Sequence, residues 1–301
     1  MKNVLIEAVD RPIDEFYRFA ESYSAKEGAL LLIRQLNRLI KTVQRHRGIS
    51  MALLAGSLEY REELVTLQTQ LERRLATLEA FASVNRLLSD NDKLNLAHAW
   101  VTIRNDWEDD NLNDNFELHS HLIQQLLAMI QDLAMMLKMP FSEQRSAKAL
   151  EQDGKMGVLL DFVCSTLPVL IEDIARIRGA TSYVVAVGGN HGLDESKIRF
   201  WMASAKEKCA AVGEQVADLE LLDQGASFKQ MSMKHTELTL LKLLDVVDSV
   251  AFQGHASHAG SKNIFNLATE VMQRYWAIVN LGLNIIQSWH LEELNDWVEA
   301  P

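Results

Sequence analysis

The sequence predicts an all-α protein built as two up-down four-helix bundles of long helices. Three observations carry this expectation. Apolar residues recur at steps of three and four along most of the chain, the spacing of one buried helical stripe. No stretch alternates with the period of two that a half-buried strand requires. Only 4 prolines fall in 301 residues, and 48% of the residues are hydrophobic. Few prolines leave long helices uninterrupted, and that much apolar material supports a real core.

The elements follow in order. From Ala29 to Ala55 the stripe runs through Leu32, Leu36, Leu39 or Ile40, Val43, Met51 and Leu54. A second run covers Glu62 to Leu88, and Ser89-Asp-Asn-Asp after it is a loop with capping residues. Lys93 to Trp107 is a third run, closed by the polar turn from Asp109. Phe116 to Lys138 is the fourth, with Leu118, Leu122, Ile123, Leu126, Ile130, Leu133 and Leu137 in helical register. The chain breaks at Met139-Pro140, and a polar connector follows. The second half repeats the plan: Lys155 to Val187, a stop at Gly188-Gly-Asn-His-Gly with Asp194 as the next cap, Asp194 to Leu222, Lys234 to Gln253, and Asn263 to Val298. The expected organisation is an N-terminal extension over 1–28, a first bundle over 29–140 and a second bundle over 155–301. Asn115-Phe116 and Asn263-Ile264-Phe265 open matching fourth helices, in keeping with a weak internal repeat.

Charge narrows the partners. The net charge is −11, from 30 basic and 41 acidic residues. An acidic surface repels nucleic acid and anionic membrane, so an anion site has to be assembled locally from a few sheltered arginines. Nothing reaches the roughly 18 apolar residues that span a membrane, and the first residues do not read as a signal peptide, so a cytoplasmic protein is expected. Cys164 and Cys209 stand alone in periodic segments and read as small buried hydrophobes.

One short pattern occurs twice. Gln44-Arg-His-Arg-Gly-Ile-Ser-Met and Ala175-Arg-Ile-Arg-Gly-Ala-Thr-Ser both carry R-x-R-G and then a hydroxyl, with Arg47 and Arg178 lying 131 positions apart. Residues two apart on a helix point about 200° apart, so the two arginines of each copy face differently. The stripe Leu36, Leu39, Val43 leads to Arg47, Ser50 and Leu54. The stripe Leu159, Val163, Leu167, Leu170, Ile174 leads to Arg178, Thr181 and Val185. Arg47 and Arg178 are therefore expected inside, and Arg45 and Arg176 outside or toward a helix edge. A buried guanidinium left alone costs several kcal/mol. Two compensations stay open. A carboxylate can pair with each arginine, and Asp161, Glu172, Asp173, Asp106 and Glu270 are available. Alternatively, the arginines, with Gly48 and Gly179 beside them and Ser50, Thr181 and Ser182 a turn on, can hold a small planar oxyanion, which suits a planar donor fork.

The segments LNRLIKTVQRHRGISMALLAG and LPVLIEDIARIRGATSYVVAVG, with HAWVTIRNDWEDDNLNDNFELHSHLIQQLLAMIQDLAMML between them, resemble the NIT domain, the nitrate- and nitrite-sensing domain of bacterial signalling proteins. The resemblance implies a regulatory protein of two helical bundles. It also implies nitrate or nitrite held by arginines of the long helices, here Arg47 and Arg178, with Arg45 and Arg176 as weaker candidates. It implies a signalling partner protein, left unidentified, and allows a homodimer. Members often carry an attached output module. None is evident here, so how a signal leaves the chain stays open.

Other motifs are weaker. His255 and His258 are three apart in a glycine- and serine-rich stretch, which reads as a loop and not a metal pair. His119 and His121 face apart on their helix. No Glu-x-x-His pair, phosphate loop, G-x-S-x-G or H-E-x-x-H occurs, so neither a catalytic centre nor a cofactor is expected. Met129, Met135, Met136 and Met139 are expected as core filler, and Trp100, Trp107, Trp201, Trp276, Trp289 and Trp297 as plugs of the bundle ends, a pocket wall being the lesser alternative for Trp100 and Trp276. The leading expectation is a nitrate- or nitrite-sensing signalling protein without catalytic activity. The alternative is a helical interaction scaffold whose arginines make buried ion pairs and bind no ligand.

Overall fold

The periodic runs become helices close to where their spacing places them. The computed structural model describes residues 13–56, 58–105, 107–141, 147–186, 195–222, 233–253 and 258–299. Among them are the helices α1 (Ile13–Leu54), α2 (Arg61–Asn85), α3 (Asp90–Arg104), α4 (Leu112–Lys138), α5 (Ala147–Asp161), α6 (Leu167–Ala186), α7 (Glu195–Leu222), α8 (Met233–Phe252) and α9 (His258–Glu299), and no strand. α1 is already helical from Ile13, so much of the stretch set apart as an N-terminal extension continues the first long helix. α5 and α6 form one continuous rod through a π-turn at Phe162–Thr166, where the Leu167 N–H reaches back to the Phe162 carbonyl.

Local chemistry sets the ends. Ser89 caps α3 through the Asp92 N–H, and Asp92 bonds back to the Ser89 N–H, a complete capping box. Asn111 caps α4 through the Asp114 N–H. At Met139 the backbone turns extended just before Pro140 and ends α4. The stop at Gly188 and the cap at Asp194 lie outside the described residues.

α1 packs against α2 and α4 on one side and against α6 and α9 on the other, while α6 and α9 pack together with α7 and α8 behind them. One contiguous core therefore runs through both groups of helices, from Leu36 and Ile123 to Leu170 and Val279. A small satellite core of Ile49, Leu53, Leu64, Leu67 and Trp107 closes the end of α1. Gly282 brings α9 onto the π-turn, because a Cβ there would drive into Val163 Cγ1. Met129 is core, as expected. Met135 and Met139 are not: they are 64% and 63% exposed, because both fall off the α4 stripe.

Candidate functional site

Arg47 enters the interior because it occupies the next stripe position after Val43 on α1. It is 1% exposed. Its Nη1 donates to Glu172 Oε1 at 2.7 Å and to Ser120 Oγ at 2.9 Å, and its Nη2 donates to Glu172 Oε2 at 3.2 Å. The guanidinium also lies over the Phe116 ring, 4.9 Å from its centroid. Glu172, on α6, accepts further bonds from Gln44 Nε2 and from Arg176 Nε, each at 2.9 Å. This is a bidentate buried ion pair with its remaining lone pairs engaged, the geometry in which such a pair persists away from water.

A neutral relay adjoins it. The Asn115 carbonyl can only accept, so His119 Nδ1 carries the hydrogen of their 2.6 Å bond. His119 Nε2 is then the acceptor, and His46 Nδ1 donates to it at 2.7 Å. Both rings are buried without a carboxylate. Burial pushes His46 down to about 4, and burial, then the neighbouring His46, holds His119 well below its ordinary value. His46 Nε2 is left buried and without a partner, as is the indole nitrogen of Trp100, whose ring meets His46 edge-on. Ser50 Oγ donates to Asn115 Oδ1 at 2.7 Å, which ties α1 to the start of α4.

Arg178 has a different environment. It is 8% exposed, and its Nη1 donates to the Thr269 hydroxyl of α9 at 3.2 Å. Its guanidinium stacks over Phe265, 5.1 Å from the ring centroid. Among the described residues no carboxylate lies within ion-pair distance of it. Burial, followed by the charges of Arg47 and Arg45, lowers its pKa to about 10 against a partial pull upward from Glu172. The hydroxyls one turn on are also unspent. Helical Ser and Thr usually bond the carbonyl four residues back, as Thr42, Thr239, Thr269 and Ser120 do here. Thr181 Oγ1 and Ser182 Oγ do not, and both are buried without a partner.

The structure thus places Arg47 and Ser50 where α1 meets α4 and α6, Arg176 on α6 toward Trp201 of α7, and Arg178 where α6 meets α9, with Thr181 and Ser182 one turn on. Arg176 is spent on Glu172. Arg45 is 62% exposed at its side chain and pairs with Glu63 across the α1–α2 corner. A Cβ on Gly179 would meet Met51 Sδ at 3.4 Å, whereas one on Gly48 would meet nothing within 4 Å. Of the five candidate carboxylates, Glu172 takes Arg47 and Arg176, Asp173 takes Lys208, Asp161 takes Lys138 and Glu270 takes Arg274. Asp106 lies outside the described residues, as does His255, and the His258 side chain is not described. His121 is exposed and bonds Gln125. No group of three or more metal-ligating side chains gathers among the described residues.

Sequence reasoning did not single out His46, Gln44, Asn115 or Ser120. A signal for His46 was present, since it shares the stripe between Val43 and Ser50. Compared with known proteins, the chain matches no family model, no curated protein and no solved structure.

Proposed function

We propose that this chain is a cytoplasmic nitrate- or nitrite-sensing signalling protein, in which Arg178 is the primary anion-binding residue. The observation that carries the reading is a buried guanidinium whose one hydrogen-bond partner among the described residues is a neutral hydroxyl. A charge in that position favours the arrival of an anion. The free planar donors of Arg178 fit two oxygens of a trigonal ion, and the unspent hydroxyls of Thr181 and Ser182 add neutral donors. Arg47 contributes its field, since its own donors are engaged by Glu172 and Ser120. An anion held there bears on α1, α6 and α9 together, so binding shifts their packing and a partner protein reads the shift. No helix among the described residues is long and apolar enough to cross a membrane, in keeping with that setting.

The decisive experiment is calorimetric titration with nitrate and nitrite, alongside chloride at matched ionic strength, on the wild type and on Arg178→Met. A site gives saturable nitrate binding that the variant loses. Equal responses to all the salts, or binding unchanged in Arg178→Met, sinks the reading. The second reading, a scaffold without a ligand, draws on one specific observation: Arg47 already has its carboxylate in Glu172. It expects no nitrate response at all.

A further inference from the structure

A second group of cations lies away from the R-x-R-G segments. Arg34, Arg38 and Lys41 fall on one face of α1, within about 60° of one another around the helix and spread over about 10 Å along it. This face borders α9. Arg34 Nη2 donates to Asn284 Oδ1 at 2.8 Å and to Gln287 Oε1 at 3.3 Å, both neutral. Lys41 Nζ sits over the Trp276 ring, 4.6 Å from its centroid. Arg38 is exposed beside them. None of the three has a carboxylate within ion-pair distance among the described residues. Glu27, whose charge acts on Arg34, is bonded by Gln287 and faces His290. In a chain with 41 acidic and 30 basic residues, three adjacent unpaired cations are a local reversal of sign.

Two further observations point to a ligand there. The Trp276 indole N–H, on the ring that Lys41 covers, is buried without a hydrogen-bond partner, and the residue is 5% exposed. Asn37, about 40° around the helix from Lys41 on the buried side of the row, is 3% exposed, and both of its amide atoms are likewise unpartnered. An unspent buried indole N–H beside mutually repelling cations favours an anion at this seam. The like charges register on one another: burial, then Arg38, lowers the pKa of both Arg34 and Lys41.

We infer that the α1–α9 seam at Arg34, Arg38, Lys41 and Trp276 binds a polyphosphate-type anion, two or more linked phosphates, at a site separate from Arg178. A single trigonal ion touches one cation of such a row. Linked phosphates carry charge over the distance that the row spans, and the exposed edge at Arg38 admits a ligand larger than the interior can take. The linked phosphates can be free diphosphate or those of a nucleotide.

The test titrates the full chain with inorganic diphosphate and, separately, with ADP, by calorimetry and tryptophan fluorescence, with chloride at matched ionic strength as control. Saturable binding of either is expected, and the tighter of the two assigns the source. Arg38→Gln, an exposed change that loses no side-chain bond to a described residue, is expected to weaken it at least tenfold. Trp276→Phe is expected to remove most of the fluorescence change, while Arg178→Met leaves diphosphate binding intact. Diphosphate effects no larger than those of chloride, an unchanged affinity in Arg38→Gln, or loss of binding in Arg178→Met would overturn the inference. The nitrate reading stands or falls on its own titration.

Discussion

The two R-x-R-G copies share an arginine, a glycine and a following hydroxyl, yet their buried arginines live in opposite circumstances. With a constant offset of 131 positions, Glu172 of the second copy stands where the first has Lys41, Ala175 where it has Gln44, and Ile177 where it has His46. Those three exchanges explain the difference. The second copy supplies the carboxylate, but Glu172 reaches across to Arg47 and bends back to Arg176, not to Arg178. The first copy has no acid to return, because a lysine occupies the equivalent place and faces Trp276. The first arginine is thus set among polar groups and bonded to a carboxylate and a hydroxyl. The second lies over Phe265 and, among the described residues, is bonded by one hydroxyl. A repeated motif specifies which face an arginine takes, and the residues around it decide whether that arginine is structure or site.

The sharpest way to break this comparison is to remove each charge in turn. Arg47→Met strands Glu172 in the interior with only Arg176 and Gln44 to hold it, and is expected to cost about 3–5 kcal/mol. Arg178→Met removes a buried cation that has no carboxylate to strand among the described residues, so stability without anion is expected to stay the same or rise. Urea denaturation at neutral pH in anion-free buffer reads both. Equal losses would mean that Arg178 has a counter-charge after all.

Acid separates the copies next, because only the first carries a histidine between its arginines. The pKa of His46 is depressed by burial to about 4 from 6.5. As pH falls, the unfolded chain takes up the proton first, so the stability present above 6.5 is lost between 6.5 and 4. The loss is about 3 kcal/mol at 1.36 kcal/mol per unit. His119 and His290 add in the same direction. The urea midpoint of the wild type is therefore expected to fall from pH 7 to pH 4.5, and His46→Gln to show a shallower fall. Identical pH profiles would show that His46 is hydrated or charged in the fold.

A smaller effect sharpens the functional half of the comparison. Arg178→Lys keeps the charge but replaces a planar fork with a point donor. Nitrate affinity is expected to drop at least about tenfold, or roughly 1.4 kcal/mol, while Arg45→Lys, on the exposed face with Glu63, leaves it within about twofold. Calorimetry on the two variants measures this. Similar affinities would mean that a general field and not a fork holds the ion.

Much of this was legible in the chain. Steps of three and four gave the helices, and the same stripes placed Arg47 and Arg178 inside and Arg45 outside. The partners were not legible. Periodicity reports which face a residue takes on its own helix, not what stands opposite on another, so Glu172 was one of five candidate carboxylates for either arginine. The π-turn at Phe162–Thr166 left no signal, since one extra residue per turn barely disturbs an apolar run. The row Arg34, Arg38, Lys41 reads in sequence as an ordinary solvated face, and only the approach of α9 turns it into a seam.

The glycines offer the finest distinction between the copies. Each follows its arginine inside a helix, where glycine costs about 0.5–1 kcal/mol relative to alanine. A Cβ at Gly48 enters open space, whereas one at Gly179 meets Met51 Sδ at 3.4 Å. Gly48→Ala is therefore expected to raise stability by about 0.5–1 kcal/mol, and Gly179→Ala by less, since the thioether must give a few tenths of an ångström. Urea midpoints at fixed slope resolve the two. If Gly179→Ala proves the more stabilising, the second copy has more room beside its arginine than the first, and the contrast between the two arginines gains a steric side. If Gly48→Ala is destabilising, the first copy is tighter than its backbone shows, and the difference between the copies rests on charge alone.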